Sequence, residues 1–298
     1  MHLDRLPKGF VARPPVMSDV EEVTRLIAAC ELATDGVADI DEEDVRSDWS
    51  RPSFDLDRDV VVVTTGGRIV GHASEYAGRA TVAVDPAHRG KGVGTALLWW
   101  TEEHARTAGA GEVGQTLSEN DAGARALLRA HGYEVGWDSW VFHLALPAPA
   151  TPPPAGISIR PLRRPDDERA AHEVIDTAFN EWPGRVPVAF DDWLASHVNR
   201  EDTDAGLMFV ALDADTIIGA AICLVSEEEG WVEQLAVNPA YRGRRIGQAL
   251  LGAAFGEFHN RGLRTAGLST DSRTGARALY EKVGMRVVRS YARFSKAV

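Results

Sequence analysis

Apolar and polar positions alternate along this chain in two runs of elements, and the second run repeats the order of the first. Residues 10–14, FVARP, read as a short strand. Ser18-Asp19 caps a helix through about Ala33, with Val20, Val23, Leu26 and Ile27 on one face. Positions 59–65 and 68–74 predict a hairpin about Gly66-Gly67. A strand at 80–84, a helix from Thr95, a strand at 114–118, a helix at 120–130 and a closing strand at 141–145 complete the first run. The second run has a strand at 157–161, a helix at 166–179, a hairpin of 208–212 with 216–225, and a strand at 232–237. It ends with a helix at about 247–260, a strand at 263–270, a helix at 274–282 and a strand at 287–294.

Between the runs lies PAPATPPPAG, residues 147–156, with five of the fifteen prolines. It has no hydrophobic period and predicts a semi-rigid extended linker outside both cores. The expected organisation is an α/β chain of two tandem domains, 1–146 and 157–298, each a mixed, mostly antiparallel sheet flanked by helices. The second run also carries a richer insertion at 182–197, with Phe190 and Trp193, that contains no readable motif. Trp99 and Trp100, at helical spacing, are read as core.

One stretch stands out in each run. Val82-Ala83-Val84-Asp85-Pro86 leads to Arg89-Gly90-Lys91-Gly92-Val93-Gly94-Thr95 and a helix. Leu235-Ala236-Val237-Asn238-Pro239 leads to Arg242-Gly243-Arg244-Arg245-Ile246-Gly247-Gln248 and a helix. Pro86 and Pro239, like Arg89 and Arg242, are 153 residues apart. A glycine-rich turn at a helix start presents amides without helical partners beside the positive end of the macrodipole, which suits phosphate or pyrophosphate. A Rossmann reading of Gly90, Gly92 and Gly94 fails because the turn follows a late strand among hairpins. No Walker loop is present.

These two runs resemble the coenzyme A pyrophosphate loop of the GNAT superfamily of N-acetyltransferases. Arg89, Gly92 and Gly94 match its pattern of a cation followed by two glycines. Arg242 and Gly247 match as well, but Arg245 stands where the first glycine is expected. The doubled arrangement resembles the tandem acetyltransferases, the mycothiol synthases among them. The resemblance implies acetyl-CoA as donor and an amine as acceptor. It implies that the strand before each turn (Val82, Ala83 and Val84, or Leu235, Ala236 and Val237) holds the pantetheine arm. It also implies a tyrosine acid about four residues before the glycine that closes the later helix. Tyr280 stands there before Gly284, whereas Leu128 holds the same place before Gly132. Glu233, an acid in a mostly apolar strand, is the candidate base; its counterpart is Ala80. Chemistry is therefore expected in the second domain, with the first catalytically degenerate.

Composition narrows the partners. The chain has 298 residues and a net charge of -12. Residues 1–146 hold 14 Lys and Arg against 24 Asp and Glu, and the rest hold 18 against 20. That balance disfavours nucleic acid and admits a cationic small-molecule amine. The acidic runs at 39–44 and 227–229 read as ordinary exposed loops, or more sharply as attraction for such an amine. No apolar run approaches the roughly 20 residues of a membrane span, and MHLDRLPKGF lacks a signal-peptide core, so a cytoplasmic protein is expected. Cys30 and Cys223, one per half, read as core residues in a reducing compartment. The nine histidines form no metal pattern and read as surface or core. Two rivals remain from the sequence: a non-catalytic acyl-CoA sensor, and an aminoacyl or peptidyl transferase on paired GNAT folds.

Overall fold

A computed structural model describes residues 5–182, 185–226 and 229–298. The chain divides into two compact units. The first comprises residues up to Asp138 together with Tyr291–Val298, and the second is Ser139–Ser290.

In the first unit the elements are β1 (Val11–Arg13), α1 (Val20–Asp35), α2 (Glu42–Trp49), α3 (Leu56–Asp59), β2 (Val60–Thr65), β3 (Arg68–Tyr76), β4 (Arg79–Val84), α4 (Val93–Thr107), β5 (Glu112–Ser118) and α5 (Ala122–Ala130). The acidic run opens α2: Asp41 is its N-cap and accepts from the Asp44 amide. Strands β1 to β4 pair antiparallel in sequence order, with β2, β3 and β4 joined as successive hairpins. The next pair, β4 with β5, is parallel and reaches only one rung, Arg79 opposite Gly114.

The chain continues through β6 (Glu134–Ala145) to β7 (Ile157–Pro161), α6 (Glu168–Phe179), α7 (Phe190–Trp193), β8 (Phe209–Asp213), β9 (Thr216–Ser226), β10 (Glu229–Val237), α8 (Ile246–Asn260), β11 (Thr265–Asp271), α9 (Arg277–Lys282) and β12 (Arg286–Ala297). In the second unit β7 to β10 pair antiparallel and β10 pairs parallel with β11. One face of this sheet packs on α8 through Ile246, Leu250, Phe255 and Phe258, with Phe142 and Leu268. Ile175, Trp193, Met208 and Ile222 form a second core with α6 and α7.

Each half of the sequence supplies the closing strand of the other half's sheet. Residues 139–145 of β6 pair antiparallel with β11 of the second unit. Residues 291–297 of β12 pair antiparallel with β5 of the first. The units therefore differ from the contiguous halves 1–146 and 157–298. The physical reason is length: β6 and β12 are each 12 residues long, so each outruns one unit. Residues 147–156 also differ from the expectation of a free linker. Leu146 and Ala148 pack against the core of the second unit. Thr151 lies over α8, where a Cβ built on Gly252 would meet its Cβ at 3.1 Å.

Candidate active site

The turns before α4 and α8 share one backbone trace. A 3-10 turn opens each, capped by Asp85, which accepts from the Ala87 amide, or by Asn238, which accepts from the Ala240 amide. Arg89 Nε donates to the Val84 carbonyl at 3.4 Å and Arg242 Nε to the Val237 carbonyl at 3.3 Å. Gly90 and Gly243 have φ of +74° and +77°. The helix N-cap is left-handed in both, Gly92 at φ +87° and Arg245 at φ +65°. Arg245 thus keeps the trace that glycine provides in the first unit, at a strain of about 1–2 kcal/mol. Gly92 has the further reason that a Cβ there would meet Pro7 at 3.2 Å. Both turns aim the first-turn amides of a 15-residue helix outward among cations. Arg89 and Lys91 flank the first turn, and Arg242, Arg244 and Arg245 the second. Val93, Gly94 and Thr95, and likewise Ile246, Gly247 and Gln248, form the opening helical turns. Either cradle fits a pyrophosphate.

The strand before the second turn carries a β-bulge. Val232 pairs with Cys223 and Gln234 with Ile222, leaving Glu233 as the extra residue. The bulge reverses the alternation of faces. Val232, Leu235 and Val237 pack on the α8 side, whereas Ala236 packs on the α6 side. Glu233 itself is exposed, with Trp231 Nε1 donating to its Oε2 at 2.9 Å. The rungs between β10 and β11 end at Val232 opposite Leu268, although both strands run on. A gap therefore opens between Leu235-Ala236-Val237 and the end of β11, and Glu233 stands at its mouth.

Tyr280, on α9, meets the same gap from the other side. Its ring packs on Phe142 with centroids 5.7 Å apart, and its hydroxyl lies near the side chain of Thr270, two residues beyond the last rung. Burial pushes the phenol up to about 12, with the Thr270 hydroxyl partly offsetting the shift. Phe142 lies on β6, so a residue from the first half of the sequence supports this tyrosine.

The insertion supplies residues that sequence reasoning missed. α7 runs into a π-helical turn, Leu194–Val198. Trp193 Nε1 donates to Gln234 Oε1 at 2.8 Å, and Gln234 Nε2 donates to His197 Nε2 at 2.9 Å. The ring proton therefore sits on Nδ1, which donates to Ser196 Oγ at 2.6 Å, and that hydroxyl donates to the Asp192 carbonyl at 2.8 Å. His197 Nε2 is also 3.9 Å from Glu233 Oε1. Trp193 and His197 at i,i+4 were the only available signal, because the bulge that brings Gln234 and Glu233 to them is invisible in sequence.

The first unit lacks this arrangement. β4 pairs with β3 in unbroken register, without a bulge. Ala80 and Leu128, the counterparts of Glu233 and Tyr280, are both buried in one apolar cluster. Burial pushes the thiols of both Cys30 and Cys223 up, so neither is an activated nucleophile. Among the described residues no cluster could hold a metal ion, and no helix is long and apolar enough to cross a membrane. Glu227 and Glu228 of the second acidic run lie outside the described residues. Glu229 pairs with Thr265 and lies 3.1 Å from His143.

The doubled run of elements is what the comparisons with known proteins match. The acetyltransferase (GNAT) family model matches residues 21–133 and again 168–285. The mycothiol acetyltransferase of Nocardia farcinica is 27% identical over 283 residues, 89% of this chain and 90% of that protein. The crystal structure of a GCN5-related N-acetyltransferase from Sphaerobacter thermophilus has a TM-score of 0.78 at 33% identity, covering 98% of this chain and 96% of that one. A tandem GNAT protein from the clavulanic acid biosynthesis pathway shares the fold, with a TM-score of 0.72 at 18% identity over 97% and 98% of the two chains. With its family pattern present twice over most of its length, the chain belongs to the GNAT acetyltransferase family as a tandem N-acetyltransferase.

Proposed function

We propose that the chain moves an acetyl group from acetyl-CoA to the amine of a small-molecule acceptor, with the chemistry in the second unit. The observation that carries this reading is the last rung, Val232 opposite Leu268, because Glu233 and Thr270, the latter near the Tyr280 hydroxyl, lie just beyond it. The turn from Arg242 to Gln248 takes the pyrophosphate, and Leu235, Ala236 and Val237 line the pantetheine arm. The acceptor enters from the α6 and α7 side, where Gln234 and His197 are fixed by their hydrogen bonds.

In the reaction the amine nitrogen attacks the thioester carbonyl carbon. A C–N bond forms and the C–S bond breaks. Glu233 accepts the proton lost by the amine, through water, and Tyr280 supplies the proton taken by the departing thiolate. A phenol held near 12 stays protonated at neutral pH and is ready as an acid. In the first unit the turn from Arg89 to Thr95 is a second donor site, behind Val82, Ala83 and Val84. Ala80 and Leu128 leave it without an acid or a base.

The mycothiol acetyltransferase relatives support a small-molecule acceptor. The test is release of free CoA thiol from acetyl-CoA with a panel of amines, amino sugars and amino acids. Turnover with one class, lost in Tyr280→Phe, is expected. Absence of thiol release with every amine, despite CoA binding, would favour the sensor reading.

A further inference from the structure

Val232, Leu268 and Phe142 lie side by side on β10, β11 and β6 and pack towards α8. The adjoining row, Trp231, Gly267 and His143, therefore points from the opposite face of the sheet. Gly267 is the middle member, and the side chains around it occupy the room it leaves. A Cβ built there would run into Glu229 Oε1 and would meet the Trp231 ring carbons Cε3 and Cζ3 at 2.7 and 2.8 Å. One edge of the indole thus rests on the Gly267 backbone with the Glu229 carboxylate beside it, and His143 Nε2 holds that carboxylate at 3.1 Å.

The other edge of the same indole meets the candidate base. Trp231 Nε1, which can only donate, donates to Glu233 Oε2 at 2.9 Å. Glu233 is the bulged residue, so no rung of the ladder fixes it, and its side chain is 37% exposed. With Oε2 on the indole, Oε1 turns to the His197 side, where Nε2 is 3.9 Å away. Two titratable groups face Glu233 from other elements: His197, from the π-helical turn, and Cys223 on β9, whose thiol its charge helps burial to push up.

The first unit treats the matching glycine differently. Gly114 pairs with Arg79 as Gly267 pairs with Trp231. The Arg293 side chain lies over Gly114, where a Cβ would meet its Nε at 2.7 Å, and its Nη2 donates to the Gly78 carbonyl at 2.9 Å. A cation takes the place that the indole has in the second unit.

We propose that Trp231 and Gly267 are positioning residues for the reaction. Gly267 seats the indole, and the indole fixes Glu233 so that Oε1 takes, through water, the proton lost by the amine. This rests on the reading of Glu233 as the base.

The test joins nuclear magnetic resonance to kinetics on the full chain, isotope-labelled at the tryptophan indoles. The indole N–H signal that Trp231→Phe removes is expected to move as pH is lowered through the carboxylate range, and to stand still in Glu233→Gln. In Gly267→Ala most of that movement should be lost, because the added methyl lifts the ring. With the amine that turns over, Trp231→Phe and Gly267→Ala should each lower kcat about tenfold and leave KM for acetyl-CoA within about twofold. Each should also move the acid limb of the pH–rate profile up by roughly half a pH unit, since the ionised carboxylate loses a donor. Phenylalanine keeps a ring over Gly267, so packing alone would leave that limb in place. The double variant should be no more than about twofold slower than either single one, because both act through one hydrogen bond.

The proposal is overturned if the indole signal ignores Glu233, or if the two changes multiply in the double variant. It is also overturned if both single variants keep the wild-type kcat and acid limb while Glu233→Gln slows turnover; the base then stands without its positioning residues. Normal turnover in Glu233→Gln, or no turnover of any amine, would remove the base itself. Should Gly267→Ala fail to fold, Trp231→Phe still decides.

Discussion

Glu181 Oε2 lies 2.6 Å from Arg242 Nη1, an ion pair that ties the segment following α6 to the turn before α8. Arg89 in the first unit has no ion pair among the described residues. A phosphate arriving at Arg242 must share the guanidinium with this carboxylate or displace it. Glu181→Gln should therefore tighten donor binding about two- to fivefold at low salt, the range open to a half-exposed pair. The gain should shrink as ionic strength rises. Equal affinity in wild type and variant at low salt would show that Glu181 does not compete with the donor.

Tyr280→Phe removes a hydroxyl and leaves the ring on Phe142. Turnover should fall by roughly 100- to 10,000-fold, the usual contribution of a positioned acid. Stability should fall by no more than about 1 kcal/mol, because the ring stays packed and only the hydroxyl is lost. Because the phenol titrates near 12, no break from Tyr280 should appear in the wild-type pH–rate profile below about pH 11. Near-normal turnover with intact donor binding would remove Tyr280 from the chemistry.

Glu233→Gln preserves shape and the contact with Trp231 while removing the base. The rate should drop, and the acid limb of the profile, where a carboxylate loses its proton as pH rises, should flatten. An unchanged acid limb in the variant would assign that limb to another group.

Arg245→Gly separates backbone from charge. Removing a side chain from a left-handed N-cap should relieve about 1 kcal/mol and raise Tm by roughly 2–4 °C. Donor affinity should fall at the same time, because a cation leaves the Arg242–Gln248 turn. A lower Tm in thermal melts would mean that the Arg245 side chain, and not the turn, sets local stability.

Two histidines give the first unit opposite pH responses. His72 is buried with neither ring nitrogen hydrogen-bonded, and burial lowers its pKa to about 4. The unfolded chain binds its proton first, so stability falls as pH drops from about 6.5 towards 4, by about 3 kcal/mol in all. His104 bonds Glu75 through Nδ1 and lies 3.1 Å from Asp59 through Nε2, and its pKa is raised, chiefly by Glu75. Its contribution is fully present below about 6.5 and is lost as pH rises through the raised value, so it leaves the acid side to His72. His72→Leu should flatten the acid-side loss in a Tm-against-pH series. Persistence of the full loss in that variant would point to other groups.

The doubled fold was legible because periodicity and paired turns are local signals. The strands at 80–84 and 232–237, the helices after the turns and the prolines at 86 and 239 could all be read from neighbours in sequence. The Glu233 bulge could not, because the pattern of β10 alone does not say where its partner skips a residue. His197 and Gln234 meet across 37 positions of chain and share no motif. Arg245 could be flagged as a missing glycine, but whether it would distort the turn or adopt the left-handed backbone depends on the surrounding fold. The closing strand β6 starts at Glu134, well before the apolar stretch 141–145, because residues 134–140 are exposed or half-buried and carry no apolar period.

The exchange of closing strands has a consequence for synthesis. Residues 291–297 complete the sheet that begins at Val11, so the first unit cannot finish folding until that stretch has been made. The second unit, by contrast, holds residues 139–145 in hand before its own strands are made. The unit begun first is thus finished after the second, with β5 left without its β12 partner while the whole second unit is made.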